Sequence, residues 1–172
     1  VSFKNMTLEA SNNNYSRVID IRNGANHNRF ESLILKGITG ERYGTEHALV
    51  YAPSGSVDQY NTFRQSLFMH GTYGMHYSGD YNRQESGLKV MHNRFTGQSD
   101  QGIYIDEQMD MVFRDNLVET GSNSSDNYDG ARFHNINGAY EISQNRFYIE
   151  NADHGLELDN AGNNSSERGL VA

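Results

Sequence analysis

The sequence predicts an all-β solenoid, a chain that winds into stacked coils of short strands. Apolar and polar residues alternate in runs too short for a helix, for example at 88–90 and 103–105. Two patterns of this kind recur at intervals of 22 to 38 residues. Such intervals are typical of repeat architectures, in which each unit buries its apolar residues against its neighbours.

The composition agrees with a chain that turns often. The 172 residues include 17 Gly, 20 Asn and a single Pro, and Gly and Asn favour turns. The absence of Cys excludes disulfides, thiol nucleophiles and Cys-based zinc sites. A net charge of −8 argues against a nucleic-acid partner. No apolar run reaches the ~18 residues of a membrane-spanning helix.

The first recurring pattern is apolar-x-apolar, two further residues, Asn, one residue and a final apolar residue. Clear copies occupy 88–95, 111–118 and 140–147, and weaker copies end at Leu8, Phe30 and Phe68. Stacking of equivalent residues predicts two inner columns, Val90, Phe113, Ile142 and Phe68, Phe95, Val118, Phe147. It also predicts an amide ladder of Asn28, Asn93, Asn116 and Asn145 at a bend, where Asn tolerates the left-handed conformation.

The second pattern follows the first and consists of a small residue and then apolar-x-apolar. It occupies 74–77, 102–105, 130–133 and 155–158, with earlier copies at 19–21 and 48–51. The two patterns together predict two strands in each coil. Leucine-rich repeats would need a steadier period and more Leu, and a propeller would need four strands in about 40 residues.

With these repeats the chain resembles the right-handed parallel β-helix proteins of the pectate-lyase-like superfamily. The residues that carry the resemblance are Asn93-Arg94-Phe95, Gly102-Ile103-Tyr104-Ile105, Asn116, Gly130, Asn145-Arg146-Phe147 and Gly155-Leu156-Glu157-Leu158. The resemblance implies a right-handed parallel β-helix of about six coils in a secreted or cell-surface protein. It implies enzymes on acidic polysaccharides, and also non-enzymatic adhesins and fibres. The sequence has none of the family's Asp-Asp, Gly-His-Gly or Asp-Pro-His segments, so no catalytic residue is carried over.

Alternate residues of the second pattern point outward and predict two polar rows on one face. The first row is Asp20, Val50, His76, Tyr104, Arg132 and Glu157, and the second is Arg22, Ala52, Ser78, Asp106, His134 and Asp159. The candidate catalytic residues are Tyr104, Asp106, Arg132, His134, Glu157 and Asp159. The candidate substrate-binding residues are Tyr73, His76, Asp129 and His154. Polar rows are also expected on any solenoid for solubility, and opposite charges in adjacent coils stabilise strand pairs.

Two chemistries are open on this face. In a polysaccharide lyase, Arg132 would neutralise a uronate carboxylate while His134 or Tyr104 moves the proton. In a hydrolase, Asp106 and Asp159 would lie two coils apart, at ~9.6 Å, near the separation of an inverting pair. No cofactor or metal site is required, although the oxygen-rich segment 126–129 could bind Ca²⁺.

The chain is expected to be one domain, 1–172, with insertions near 31–47, 52–61, 78–87 and 121–129. Long loops beside a flat sheet predict a groove for an extended polymer. Neither end resembles a cap, so we expect a segment of a longer helix, or ends that meet neighbouring chains. The predicted function is a carbohydrate-facing segment of a larger secreted or surface protein, acting on polysaccharide as a lyase or hydrolase. The alternatives are a non-catalytic structural or adhesive segment and a glycan-binding module.

Overall fold

The computed structural model describes residues 1–40, 42–119, 128–150, 153–162 and 169–172. These residues form a right-handed parallel β-helix of about six coils, in which three parallel sheets run side by side along the axis. Every strand-to-strand ladder between the named strands is parallel. The predicted fold class is confirmed.

The strands of each sheet are as follows. The first sheet contains β1 (Ser2–Lys4), β4 (Arg29–Glu31), β7 (Thr62–Arg64), β11 (Lys89–Met91), β14 (Val112–Arg114), β17 (Glu141–Ser143) and β20 (Leu170–Val171). The second contains β2 (Thr7–Glu9), β5 (Ile34–Lys36), β8 (Leu67–Met69), β12 (Arg94–Thr96), β15 (Leu117–Glu119) and β18 (Arg146–Tyr148). The third contains β3 (Ile19–Asp20), β6 (Val50–Ala52), β9 (Tyr73–Ser78), β13 (Gln101–Met109), β16 (Asp129–Asn137) and β19 (His154–Asp159), with β10 (Glu85–Ser86) beside β13. A 3-10 helix, Thr45–His47, precedes β6.

Each coil has three strands, so the prediction of two was wrong. The first sequence pattern spans two strands, one in the first sheet and one in the second, joined by a sharp corner. The residue at this corner is left-handed, with φ of 52° to 56° at Ser32, Gln65, His92, Asp115 and Gln144. The Asn of the pattern was expected to adopt the left-handed conformation. It does not, because it follows the left-handed residue.

The interior consists of apolar columns with one residue from each coil. Both predicted columns are confirmed by the strand register, which pairs Val90 with Phe113 and Phe95 with Val118. The weaker copy of the first pattern that ends at Phe30 is out of register with the others. Phe30 pairs with Phe63 in the first sheet, and the residue beside Phe68 in the second sheet is Leu35.

The amide ladder is built by Asn93, Asn116 and Asn145. Asn93 Nδ2 donates to Asn116 Oδ1 at 3.2 Å, and Asn116 Nδ2 donates to Asn145 Oδ1 at 3.1 Å. Asn28 does not belong to it, because its backbone N–H bonds to the side chain of Asn61 at a different corner. In the coil before Asn93 the ladder position is occupied by Ser66, whose hydroxyl accepts from the backbone N–H of Leu33 in the coil before that.

The predicted insertions contain regular structure in two cases. The segment 31–47 includes β5 and the 3-10 helix, and 78–87 includes β10. The segment 53–61 is irregular. Of the predicted insertion 121–129, residues 121–127 lie outside the described residues, and Asp129 begins β16.

Candidate functional site

The outer face of the third sheet carries three rows of polar side chains in strand register. The central row is Asp20, Tyr51, His76, Tyr104, Arg132 and Glu157. The downstream row is Ser78, Asp106, His134 and Asp159, and the upstream row is Tyr73, Gln101, Asp129 and His154. All ten candidate site residues lie in these rows. Three residues of the predicted rows do not. Val50 and Ala52 are fully buried, and Arg22 lies after the end of β3 at Asp20.

A column of glycines places the upstream and central rows on the same face. A Cβ atom on Gly74 would lie 2.7 Å from the carbonyl oxygen of Gly102 in the next coil, and one on Gly102 or Gly130 would lie closer still to the next glycine. The glycine and the residue after it are both buried, as at Gly102 and Ile103. This pair of buried residues shifts the alternation by one position, so residues three apart, such as Tyr73 and His76, both face outward.

Aromatic rings follow one another along the central row. The ring centres of Tyr51 and His76 are 5.5 Å apart, and those of His76 and Tyr104 are 4.8 Å apart and stacked. Tyr73 meets His76 edge-on at 5.1 Å. The guanidinium of Arg17 covers Tyr51 at 3.4 Å from the ring centre. We call Tyr51, Tyr73, His76 and Tyr104 the ring strip.

Three members of the ring strip, Tyr73, His76 and Tyr104, are uncharged at neutral pH. Burial lowers the pKa of His76 to about 4, so its imidazole is neutral. Burial also raises the pKa of Tyr73 and Tyr104 above the ordinary tyrosine value. Nδ1 of His76 is buried and has no hydrogen-bond partner among the described residues. The strip is therefore a half-buried aromatic surface with polar edges.

The charged end of the face lies beyond Tyr104. Arg132 Nε is 3.1 Å from Glu157 Oε2. The imidazole of His134 stands between two carboxylates, with Nδ1 3.1 Å from Asp106 Oδ1 and Nε2 3.5 Å from Asp159 Oδ2. Because the imidazole fills the space between them, these carboxylates do not face each other across an open gap.

The upstream row has a second histidine paired with a carboxylate. His154 Nδ1 lies 3.0 Å from Asp129 Oδ1, and Gln101 Nε2 donates to the other oxygen of Asp129 at 3.3 Å. Oxygen and nitrogen atoms of Asp129, His154 and Glu157 all approach within 4.8 Å of one another, so this group could hold a metal ion. Of the calcium candidate 126–129, residues 126 and 127 lie outside the described residues, and Tyr128 is fully buried.

A groove of about 600 Å³ borders the downstream row. Its wall includes Gln84, whose Nε2 donates to Glu107 Oε2 at 3.1 Å, and Asn135, whose Nδ2 donates to Glu107 Oε1 at 2.7 Å. Tyr81 stands at the rim and is 83% exposed. The loop 78–87 therefore forms one side of a groove beside the face, as the sequence predicts.

Sequence reasoning missed Tyr51, Gln101 and Arg17. Tyr51 was missed because its coil has Leu49, not glycine, at the position of the glycine column. The register shows this, because Val50 pairs with Met75, and Leu49 precedes Val50 as Gly74 precedes Met75. The alignment of Ala48 with that glycine displaced this coil by one residue. The spacing of Gln101, three residues before Tyr104 in the same relation as Tyr73 to His76, could have identified it.

The face carries an excess of negative charge. Its three rows contain one guanidinium, Arg132, and five carboxylates, Asp20, Asp106, Asp129, Glu157 and Asp159. Arg17 and Arg22 both pair with Asp20, at the opposite end of the central row from Glu157. The potential around Asp106, Asp129 and Asp159 therefore favours cations and disfavours anionic ligands.

No protein-family model, curated protein or solved structure matches the chain. Within the described residues, no helix has the length and apolar character needed to cross a membrane.

Proposed function

We propose that the outer face of the third sheet is a carbohydrate-binding surface. The ring strip is the observation that carries this proposal. The rings of the central row stack on one another, so they offer their edges to a ligand: the C–H groups of a sugar can bury area against these edges, while its hydroxyl groups bond to neighbouring polar atoms. Tyr73, His76 and Tyr104 supply the rings, and Gln101 and Arg132 supply neighbouring polar groups.

The shape of the face suits an extended glycan. Successive rings of the central row are separated by one coil, about 4.8 Å, along a straight axis. The groove beside Gln84 and Glu107 adds hydrogen-bonding groups on one side. We propose that the protein belongs to the pectate-lyase-like superfamily, which its repeat pattern and fold support. A polysaccharide ligand would agree with a secreted or cell-surface location.

Binding is better supported than turnover. The hydrolase arrangement is unfavourable, because His134 occupies the space between Asp106 and Asp159 where a glycosidic bond would have to lie. Elimination is the second candidate reaction. The position of Arg132 favours it, because Arg132 shares its row with Tyr104 and lies two residues before His134, which brings a cation and two proton-transfer groups together. The ion pair of Arg132 with Glu157 and the excess of carboxylates on the face oppose it, since the substrate of elimination is an anionic uronate polymer.

A glycan array tests the proposal. We expect the intact chain to bind one class of glycan, and Tyr104→Ala to weaken this binding about tenfold, because the loss of one ring removes contacts worth about 1 kcal/mol or slightly more. Tyr148→Ala is the matched control, since Tyr148 is exposed on the second sheet. An absence of glycan binding, or equal binding by wild type and Tyr104→Ala, would contradict the proposal.

The same samples separate binding from elimination. An eliminase produces an unsaturated uronate, which absorbs in the ultraviolet, from a uronate polymer. If elimination occurs, Arg132→Ala and His134→Ala should abolish the absorbance change while the circular dichroism spectrum stays unchanged. Glycan binding with no absorbance change identifies a binding module.

A further inference from the structure

We propose that Asp129, His154 and Glu157 form a binding site for a divalent transition-metal ion of the zinc class. The site is independent of the proposed glycan binding. Asp129 and His154 are register partners in β16 and β19, and Glu157 lies three residues after His154 on the same face. The fold therefore brings one imidazole and two carboxylates together from two adjacent coils.

The distances between donor atoms suit a small ion. Zn²⁺ binds imidazole nitrogen and carboxylate oxygen at about 2.0 to 2.2 Å, which separates tetrahedral donors by about 3.4 Å. The Nδ1 atom of His154 and the Oδ1 atom of Asp129 are already 3.0 Å apart, and all three donors lie within 4.8 Å. Small side-chain rotations would complete the arrangement. The proton on Nδ1 would move to Nε2 when the metal takes its place.

The surroundings of the three residues support metal ligation. Gln101 Nε2 donates to the second oxygen of Asp129 at 3.3 Å, which fixes the orientation of that carboxylate. Oε1 of the same Gln101 is buried and has no hydrogen-bond partner among the described residues, so an electron-rich oxygen adjoins the group. Arg132 forms an ion pair with Oε2 of Glu157, which holds that carboxylate beside the group.

The charge and the solvent exposure of the ligands also favour metal binding. Asp129 is a carboxylate whose side chain is only 7% exposed, whereas the side chain of His154 is 55% exposed. An ion could therefore enter past the imidazole and neutralise a carboxylate that is largely removed from water. Three protein ligands leave a fourth position open to water or another ligand.

The donor set selects the class of ion. Ca²⁺ and Mg²⁺ prefer six or more oxygen ligands, and this group offers only two carboxylates and a nitrogen. Imidazole nitrogen favours Zn²⁺, Co²⁺, Ni²⁺ and Cu²⁺. The site differs in this respect from the calcium site considered for segment 126–129, although both include Asp129.

Titration calorimetry of the whole chain with Zn²⁺ alone tests the proposal. We expect one ion to bind with a dissociation constant in the micromolar range, and Ca²⁺ at the same concentration not to compete. Asp129→Asn and His154→Gln should each weaken binding at least tenfold. His92→Gln is the matched control, because the exposed imidazole of His92 also pairs with a carboxylate, that of Asp115, but far from this face.

Co²⁺ gives an independent readout that does not require stability of the variants to be equal. Its visible spectrum reports a site with few ligands and should appear with wild type and His92→Gln and disappear with His154→Gln. Glu157→Gln provides a further variant at a partly exposed position. The proposal is overturned if no stoichiometric Zn²⁺ binds, if His154→Gln and His92→Gln bind it equally, or if Ca²⁺ displaces it at equal concentration.

Discussion

Replacing Gly74 by alanine should destabilise the β-helix strongly, because the glycine column leaves no room for a side chain. The new Cβ would lie 2.7 Å from the Gly102 carbonyl oxygen and 2.5 Å from Cδ1 of Phe95, whereas ordinary contacts begin near 3.4 Å. The first neighbour is backbone and the second is a fully buried ring, so neither can yield cheaply. Overpacking of this kind costs about 1 to 3 kcal/mol, and each distorted hydrogen bond between coils adds about 1 kcal/mol.

The loss of unfolded-state entropy on replacing glycine opposes this cost by less than about 1 kcal/mol. We therefore expect a net loss of about 3 kcal/mol and a fall in Tm of about 6 to 12 °C for a chain of this length. Thermal unfolding followed by circular dichroism measures it. Gly155→Ala is the matched control, since Gly155 belongs to the same column in β19, the edge strand of the sheet, and among the described residues its Cβ would meet only Phe147, at 3.7 Å. A Tm of Gly74→Ala within about 2 °C of wild type, or an equal fall for Gly155→Ala, would refute the reasoning.

Three further predictions concern buried polar groups. Burial raises the pKa of Glu85 to about 7, so between pH 4.5 and 7 the folded chain holds a proton that the unfolded chain releases, and the free energy of unfolding falls as pH rises. In urea unfolding, Glu85→Gln should remove this pH dependence and add up to about 3 kcal/mol at pH 8. An equal pH dependence of the free energy of unfolding in wild type and Glu85→Gln would contradict this prediction. The pKa of His76 is lowered to about 4, so stability is lost as pH falls from 6.5 to 4, and His76→Phe should flatten that limb of a Tm profile, whereas a parallel profile would count against it. Asn116→Ala should cost about 3 kcal/mol, because it removes the bond from Asn116 Nδ2 to Val90 O and leaves the N–H of buried Asn93 without its acceptor, whereas exposed Asn82→Ala should be nearly neutral; equal Tm values for the two would disprove the role of the ladder.

Alternation and the Asn repeat were sufficient to predict the parallel β-helix and its central coils. Those coils share both patterns in nearly the same spacing, so Val90, Phe95, Phe113 and Val118 align without ambiguity. The register of the early coils was predicted wrongly, for a physical reason. Strands of three residues carry too little information to distinguish sheets, and the Asn that precedes Phe30 by two residues imitates the ladder Asn although it lies at another corner.

The site could be predicted only as far as its rows. Strand alternation places Tyr104, Arg132 and Glu157 on one face, and the register shows that they are neighbours. It cannot show that His134 bridges two carboxylates or that Gln101 orients Asp129. Those contacts depend on side-chain rotation across three coils, for which a sequence pattern holds no information.

The glycine column connects the stability of the fold with the composition of the site. In a regular strand, Asp129 and Arg132 would point to opposite faces, because the side-chain period is two residues. The close approach of Gly130 to the next coil inserts one additional buried position and turns both outward. The same insertion brings Tyr73 beside His76, and it brings His154 beside Glu157. The ring strip and the proposed metal site therefore depend on one backbone feature, which any substitution of Gly74, Gly102 or Gly130 would disturb together.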